Sequence, residues 1–192
     1  EWILAWNQWR STPHYGVAVA ERASADAPWI LHAGSDDVLS PEIYFSNAPV
    51  IALWASVMHA VAGSRMLIAL NAQDDEHAWV RQAFERVGIA GDRLTFVSRL
   101  ARRKYLQAYG RVDIALDPFP YNGHMTSCDA FYMGVPVIGL RGRTSVGRGG
   151  ASLLANLELT ELLADSSDAY VRIAAELSAD IERLAELRRT LR

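Results

Sequence analysis

Lysine is almost missing from this sequence. Of nineteen lysine and arginine residues only Lys104 is a lysine, so a role that needs an ammonium group has one candidate. Cysteine is as scarce: Cys128 stands alone. That excludes a disulfide framework and a cysteine-based metal site. It fits a reducing compartment, and a cytoplasmic location is the expectation. No apolar run reaches membrane-spanning length and no leader-like pattern opens the chain. Positive charge is not in excess. The formal net charge is −3, which removes the electrostatic footing for general nucleic-acid binding. Internal repeats and low-complexity linkers are absent as well.

What remains is a globular composition. Half the residues are hydrophobic (51%) and the charged share is an ordinary 21%, so 192 residues suffice for one core, or one domain with an extension. The most informative stretch is Asp113–Leu140, DIALDPFPYNGHMTSCDAFYMGVPVIGL. Val112–Leu116 has the apolar, β-branched character of a buried parallel strand. Pro118, Pro120, Asn122 and Gly123 then force a loop. A helix is expected from about Thr126 to Met133, with Thr126 and Asp129 spaced as a near capping box. Gly134 suits its end, Pro136 stops it, and Val135–Leu140 is a second strand. Strand, loop, helix, strand is a βαβ unit whose helix tip faces the carboxyl edge of the sheet. His124, Thr126 and Ser127 add side-chain donors at that positive tip, an arrangement suited to an anion such as a diphosphate. An ordinary βαβ unit with a polar cap is the plainer alternative. Cys128 is expected to be a small buried helix residue rather than a nucleophile.

LDPFPYNGHMTSCDAFYMGVPVIGLRGRT, continuing through GRGGASLL, resembles the nucleotide-binding half of the O-GlcNAc transferase (SPINDLY-like) glycosyltransferases. The similarity runs from about Ile43 to Arg192, and Asp113–Leu154 is its specific part. The resemblance implies an α/β fold: an open, mostly parallel Rossmann-like sheet with helices on both faces, the carboxy-terminal lobe of a two-lobed GT-B enzyme. It implies a UDP-sugar as ligand. Leu100 would read the base edge through its backbone, Arg102 would meet the ribose, and Tyr105 would cover the ring. His124, Met125 (through its N–H) and Thr126 would line the phosphates, Asp129 would lie near the ribose, and Arg148 would face the phosphates. No metal or other cofactor is implied.

Around that centre the rest of the chain is read as follows. Trp2, Trp6 and Trp9 make an apolar stripe, Tyr15–Ala25 an alanine-rich helix, and Trp29–His32 a strand. Residues 1–40 are left as an amino-terminal extension, and 41–192 as the UDP-sugar-binding domain. Glu42–Phe45 is a short strand, with Ser46-Asn47 capping a helix over Pro49–Ala62. Met66–Leu70 and Arg93–Val97 are strands flanking a helix near Asp75–Val87. Ser98–Ala101 is a loop and Arg102–Tyr109 a helix, where a solvated face is the plain alternative to a role at the site for Arg103 and Lys104. In Arg141–Gly150 the glycines permit close backbone approach. Helices follow at Ala151–Leu157 and, as one long closing helix, Asp168–Arg192.

Three departures from the family pattern stand out. The loop before the Pro49 helix is short and lacks the family's lysine, Met125 replaces a hydroxyl residue, and a basic residue near Ala108 is missing. Both ends look like cuts in a longer chain, so the amino-terminal catalytic lobe and helical repeats are expected outside these residues. The intact parent, a bacterial-type homologue, would transfer N-acetylglucosamine or a related sugar to protein hydroxyls. This chain alone would bind UDP with weak or absent turnover. Two alternatives stay open: a degenerate non-catalytic fragment or interaction module, and a metal-dependent transferase built on Asp36-Asp37.

Overall fold

The computed structural model describes Ala18–Ala20, Ile30–Ser35 and residues 48–70, 74–97 and 100–191. The expected α/β architecture is observed. In chain order the described elements are β1 (Ala18–Ala20), β2 (Ile30–Ser35), α1 (Ala48–Ala60), β3 (Arg65–Leu70), α2 (Asp74–Arg86), β4 (Leu94–Val97) and α3 (Arg102–Ala108). They continue with β5 (Ala115–Leu116), α4 (Met125–Tyr132), β6 (Val137–Leu140), α5 (Gly149–Asn156), β7 (Leu163–Ala164), α6 (Ser167–Ala179) and α7 (Ile181–Thr190).

The parallel strands lie in the order β4-β3-β2-β5-β6-β7, with β1 pairing antiparallel to β3 and β5. From β2 the chain builds outward through β3 to β4, then returns to the other side of β2 and builds outward again. The order therefore reverses between β2 and β5, where His32 is in register with Ala115. A crevice at such a reversal, beyond the carboxyl ends of the strands, is where ligands of open α/β sheets bind. The loops after β4, β5 and β6 all leave from that edge.

Apolar side chains of α1 (Val50, Leu53, Trp54, Val57, Met58) are buried together with Tyr170, Ile173, Ala174 and Leu177 of α6, the helix α1 packs on. The sheet contributes Met66, Ile68, Leu116, Val137 and Ile138 to the same core. Gly63, Gly88 and Gly134 carry φ of 73°, 85° and 77° at the ends of α1, α2 and α4, the left-handed closure that glycine permits. Among the described residues no helix is long and apolar enough to cross a membrane.

Several boundaries differ from the sequence reading. Ala18–Ala20 is strand, not helix. Alanine's helix preference amounts to at most about 0.7 kcal/mol per residue over ordinary residues, and pairing with the sheet overrides it. The strand expected from Val112 is confined to Ala115–Leu116; the Val112 carbonyl accepts from Arg188 of α7 instead of from a neighbouring strand. The third parallel strand starts at Leu94, since Arg93 closes a 3-10 turn and spends its guanidinium on the Met58 carbonyl and on Ser64. The closing helix is two helices. Asp180 breaks it with ψ of 82° and accepts the Arg183 N–H at 2.8 Å, capping α7. The expectations for Trp2, Trp6 and Trp9, for Asp36-Asp37, for Glu42–Phe45 and its lysine-free loop, and for Ser98 lie outside the described residues.

Candidate functional site

The loop from Asp117 to His124 connects the end of β5 to the first turn of α4, and almost all its polar groups are spoken for. Asn122 is 1% exposed. Its Nδ2 donates to the Pro118 carbonyl at 2.9 Å, and its Oδ1 accepts the Gly150 N–H at 3.2 Å. Its backbone N–H donates to the Val146 carbonyl at 3.1 Å. One asparagine thus ties the loop to the start of α5. The glycines behave as the sequence suggests. A Cβ on Gly147 would lie 2.7 Å from the Pro120 carbonyl oxygen, and one on Gly142 2.5 Å from that of Gly147. The Phe119–Pro120 peptide is cis.

Two helix tips meet here. In α4 the first intrahelical bond runs from the Cys128 N–H to the His124 carbonyl at 3.0 Å, so the N–H groups of Met125, Thr126 and Ser127 precede the helical ladder. His124 occupies the N-cap position without a side-chain cap bond. Its imidazole packs edge-on to Tyr121, with ring centroids 5.7 Å apart, and lies directly against Gly149 at the start of α5. Arg148, the residue before Gly149, is exposed. Met125 is 51% exposed at the α4 tip.

The hydroxyls of the first turn do not face outward together. Ser127 is buried, and its one hydroxyl proton is shared between the Gly123 carbonyl and, at 3.1 Å, Asp117 Oδ1, so it braces the turn from inside rather than offering a donor to a ligand. Thr126 Oγ1 is sealed from solvent without a partner, and the expected Thr126–Asp129 capping box is not formed. Asp129 is instead committed elsewhere: Arg102 grips both its oxygens, each at 2.6 Å. Those bonds push the guanidinium pKa further up. Cys128 is exposed, not buried. It falls on the outer face of α4, as does Tyr132, and partial desolvation of the thiol against the helix, with the neighbouring Asp129 charge, raises its pKa.

Tyr105 is linked to α4 through Tyr109. The Arg102 guanidinium stands 5.6 Å from its ring centroid. Its hydroxyl is 2.6 Å from that of Tyr109, which donates to the Thr126 carbonyl at 3.3 Å. Burial raises both phenol pKa values. The structure therefore joins Arg102, Tyr105, Thr126 and Asp129 in one connected group, and brings His124 to the residue next to Arg148. Leu100, exposed just after β4, lies at the same edge of the sheet. Among the described residues no cluster of three or more His, Cys, Asp or Glu is placed to hold a metal.

Asp117 was not singled out by sequence reasoning. It is fully buried beneath the α4 tip, where its Oδ1 accepts the Gly123 N–H at 2.9 Å as well as the Ser127 hydroxyl. Burial pushes its carboxyl up to about 7 against the lowering effect of those two bonds. A carboxylate directly after an apolar strand and before a Pro-rich loop was the available signal.

Comparison with known proteins shows the family. The family model described as glycosyl transferase family 41 matches residues 41–192. The probable UDP-N-acetylglucosamine–peptide N-acetylglucosaminyltransferase SPINDLY of Eustoma exaltatum subsp. russellianum is 38% identical over 148 residues, and that of Arabidopsis thaliana 34% over the same length. Each match covers 74% of this chain but 16% of the relative. Among solved structures, a lysine-to-methionine mutant of the Thermobaculum terrenum O-GlcNAc transferase superposes with a TM-score of 0.72 at 36% identity, covering 74% of this chain and 28% of that one. The chain spans a small part of the curated relatives it matches. With a family model covering most of its length and a matching GT-B structure, it belongs to glycosyl transferase family 41.

Proposed function

We propose that this chain is the UDP-sugar-binding lobe of a protein O-GlcNAc transferase-like enzyme of bacterial type, acting in the cytoplasm. The observation that carries the reading is the α4 tip: unladdered N–H groups of Met125, Thr126 and Ser127 at the strand-order reversal, with His124 beside them. The positive helix end and its N–H groups suit a diphosphate. His124 and Arg148 are the side chains that would supplement them. Arg102 and Asp129 would meet the ribose, with Leu100 and Tyr105 at the base. The Tyr105 ring already has Arg102 near it, so a base would share that space with a guanidinium.

In the intact parent, the departing UDP would be stabilised by the helix end, His124 and Arg148, groups fixed before reaction and aimed at developing charge. The acceptor, a protein hydroxyl, and the remaining catalytic groups would come from residues outside this chain. Turnover by the chain alone is therefore expected to be weak or absent. Thermal unfolding with and without UDP tests the binding reading. A ligand that binds only the folded state raises the melting temperature with concentration, and a transition unmoved by UDP contradicts it.

One observation favours a second reading. Arg102 and Asp129 satisfy each other, and the Thr126 hydroxyl is sealed, as in a fragment that folds but holds no nucleotide. The same melting experiment separates the two.

A further inference from the structure

Asp117 lies at the bottom of the site, and the UDP reading leaves it without a role. Its carboxyl oxygens have different surroundings. Oδ1 takes the Gly123 N–H and the Ser127 hydroxyl. Oδ2 has no hydrogen-bond partner and presses on Gly150, where a Cβ would stand 2.4 Å away. The carboxyl is thus wedged beneath the first turn of α4 and beside the first turn of α5. Its backbone carbonyl accepts from the Tyr170 hydroxyl of α6 at 3.1 Å, which fixes the wedge from the far side.

We propose that Asp117 is a positioning residue for diphosphate binding: through Oδ1 it sets the Gly123–Ser127 turn that aims the α4 tip, and its charge is coupled to that of the anion on the other side of the turn. The proposal rests on the UDP-binding reading. An ionised Asp117 and a bound diphosphate would draw on the same helix end from opposite sides, and two anions in a poorly solvated region repel strongly. A protonated Asp117 keeps Oδ1 as an acceptor, leaves the helix end to the ligand, and removes the repulsion. Because burial holds this carboxyl near 7, neither form is remote at neutral pH. Binding therefore draws a proton onto Asp117. Among its surroundings Tyr170 on α6 is the titratable group that interacts with its charge. The titratable or charged residues carried by the loop and by the start of α5 are Tyr121, His124 and Arg148, and β6 approaches Oδ2 at Gly139, whose added Cβ would lie 4.0 Å away.

The test is calorimetric titration of UDP into the whole chain, from about pH 6 to about pH 8.5, in buffers of different ionisation enthalpy. Native protein is compared with Asp117→Asn, which keeps an acceptor and cannot ionise. The native protein takes up more protons on binding than the variant near neutrality, and its affinity falls by roughly five- to tenfold relative to the variant as pH rises. A purely structural role would not move the proton count. As a second measurement independent of the variant's folding, the Asp117 carboxyl carbon is titrated by NMR with and without UDP, and its midpoint rises with ligand. UDP binding with equal proton uptake in both proteins, or an unmoved midpoint, overturns the coupling alone. Absence of any UDP binding by the native chain overturns the reading beneath it.

Discussion

The His124 imidazole lies flush against the backbone of Gly149: a Cβ added there would stand 2.0 Å from Nε2 and 2.3 Å from Cδ2. The first residue of α5 thus sets where the side chain at the α4 tip can point. Gly149→Ala must push the ring away or shift the start of α5. The expected result is a loss of UDP affinity of about tenfold or more, with a cost in stability of roughly 1–3 kcal/mol from overpacking. Calorimetry and denaturant melts on the same sample separate the two. Undiminished affinity would remove His124 from the site.

Arg102 and Asp129 form a two-pronged pair, with the arginine side chain 47% exposed and the aspartate 11%. Exposure of the guanidinium limits what the pair adds to folding, so the coupling energy from a double-mutant cycle of Arg102→Ala and Asp129→Ala is expected at about 1 kcal/mol or less. UDP affinity should respond more than stability does, and Asp129→Ala should weaken it. A large folding cost with unchanged affinity would make the pair a structural clamp only.

Asp117 also predicts how stability depends on pH. Its folded pKa, raised to about 7 by burial, exceeds the ordinary carboxyl value. The contribution is therefore fully present below the unfolded-state pKa of about 4 and is lost as pH rises through about 7. Over that window the native chain should lose on the order of a few kcal/mol that Asp117→Asn does not lose. Urea melts at the two ends of the window measure it. Parallel pH profiles for the two proteins would show Asp117 ionised inside the fold throughout.

Much of this fold was legible because its punctuation is local. Gly63, Gly88 and Gly134 end helices with positive φ, and Pro136 sits between α4 and β6, as their residue types alone require. The candidate tip at His124-Met125-Thr126 was legible for the same reason. What was not legible depends on partners far along the chain. Thr126 and Asp129 have capping-box spacing, but Asp129 is captured by Arg102, and a two-bond charged contact outcompetes a single local cap. Ser127 turns inward because Asp117 is there, and Asp117 is buried because Gly150 leaves room for it. The break at Asp180 was hidden by apolar periodicity running on through Leu177, Ile181 and Leu184. Asp180 itself, a residue that caps helices, was the signal.

The most direct measurement is titration of UDP into this chain by calorimetry, alongside His124→Ala. A single saturable site, weakened about tenfold or more in the variant, is the result predicted by a diphosphate held at the α4 tip. No heat at about millimolar UDP, or equal affinity in both proteins, would contradict it.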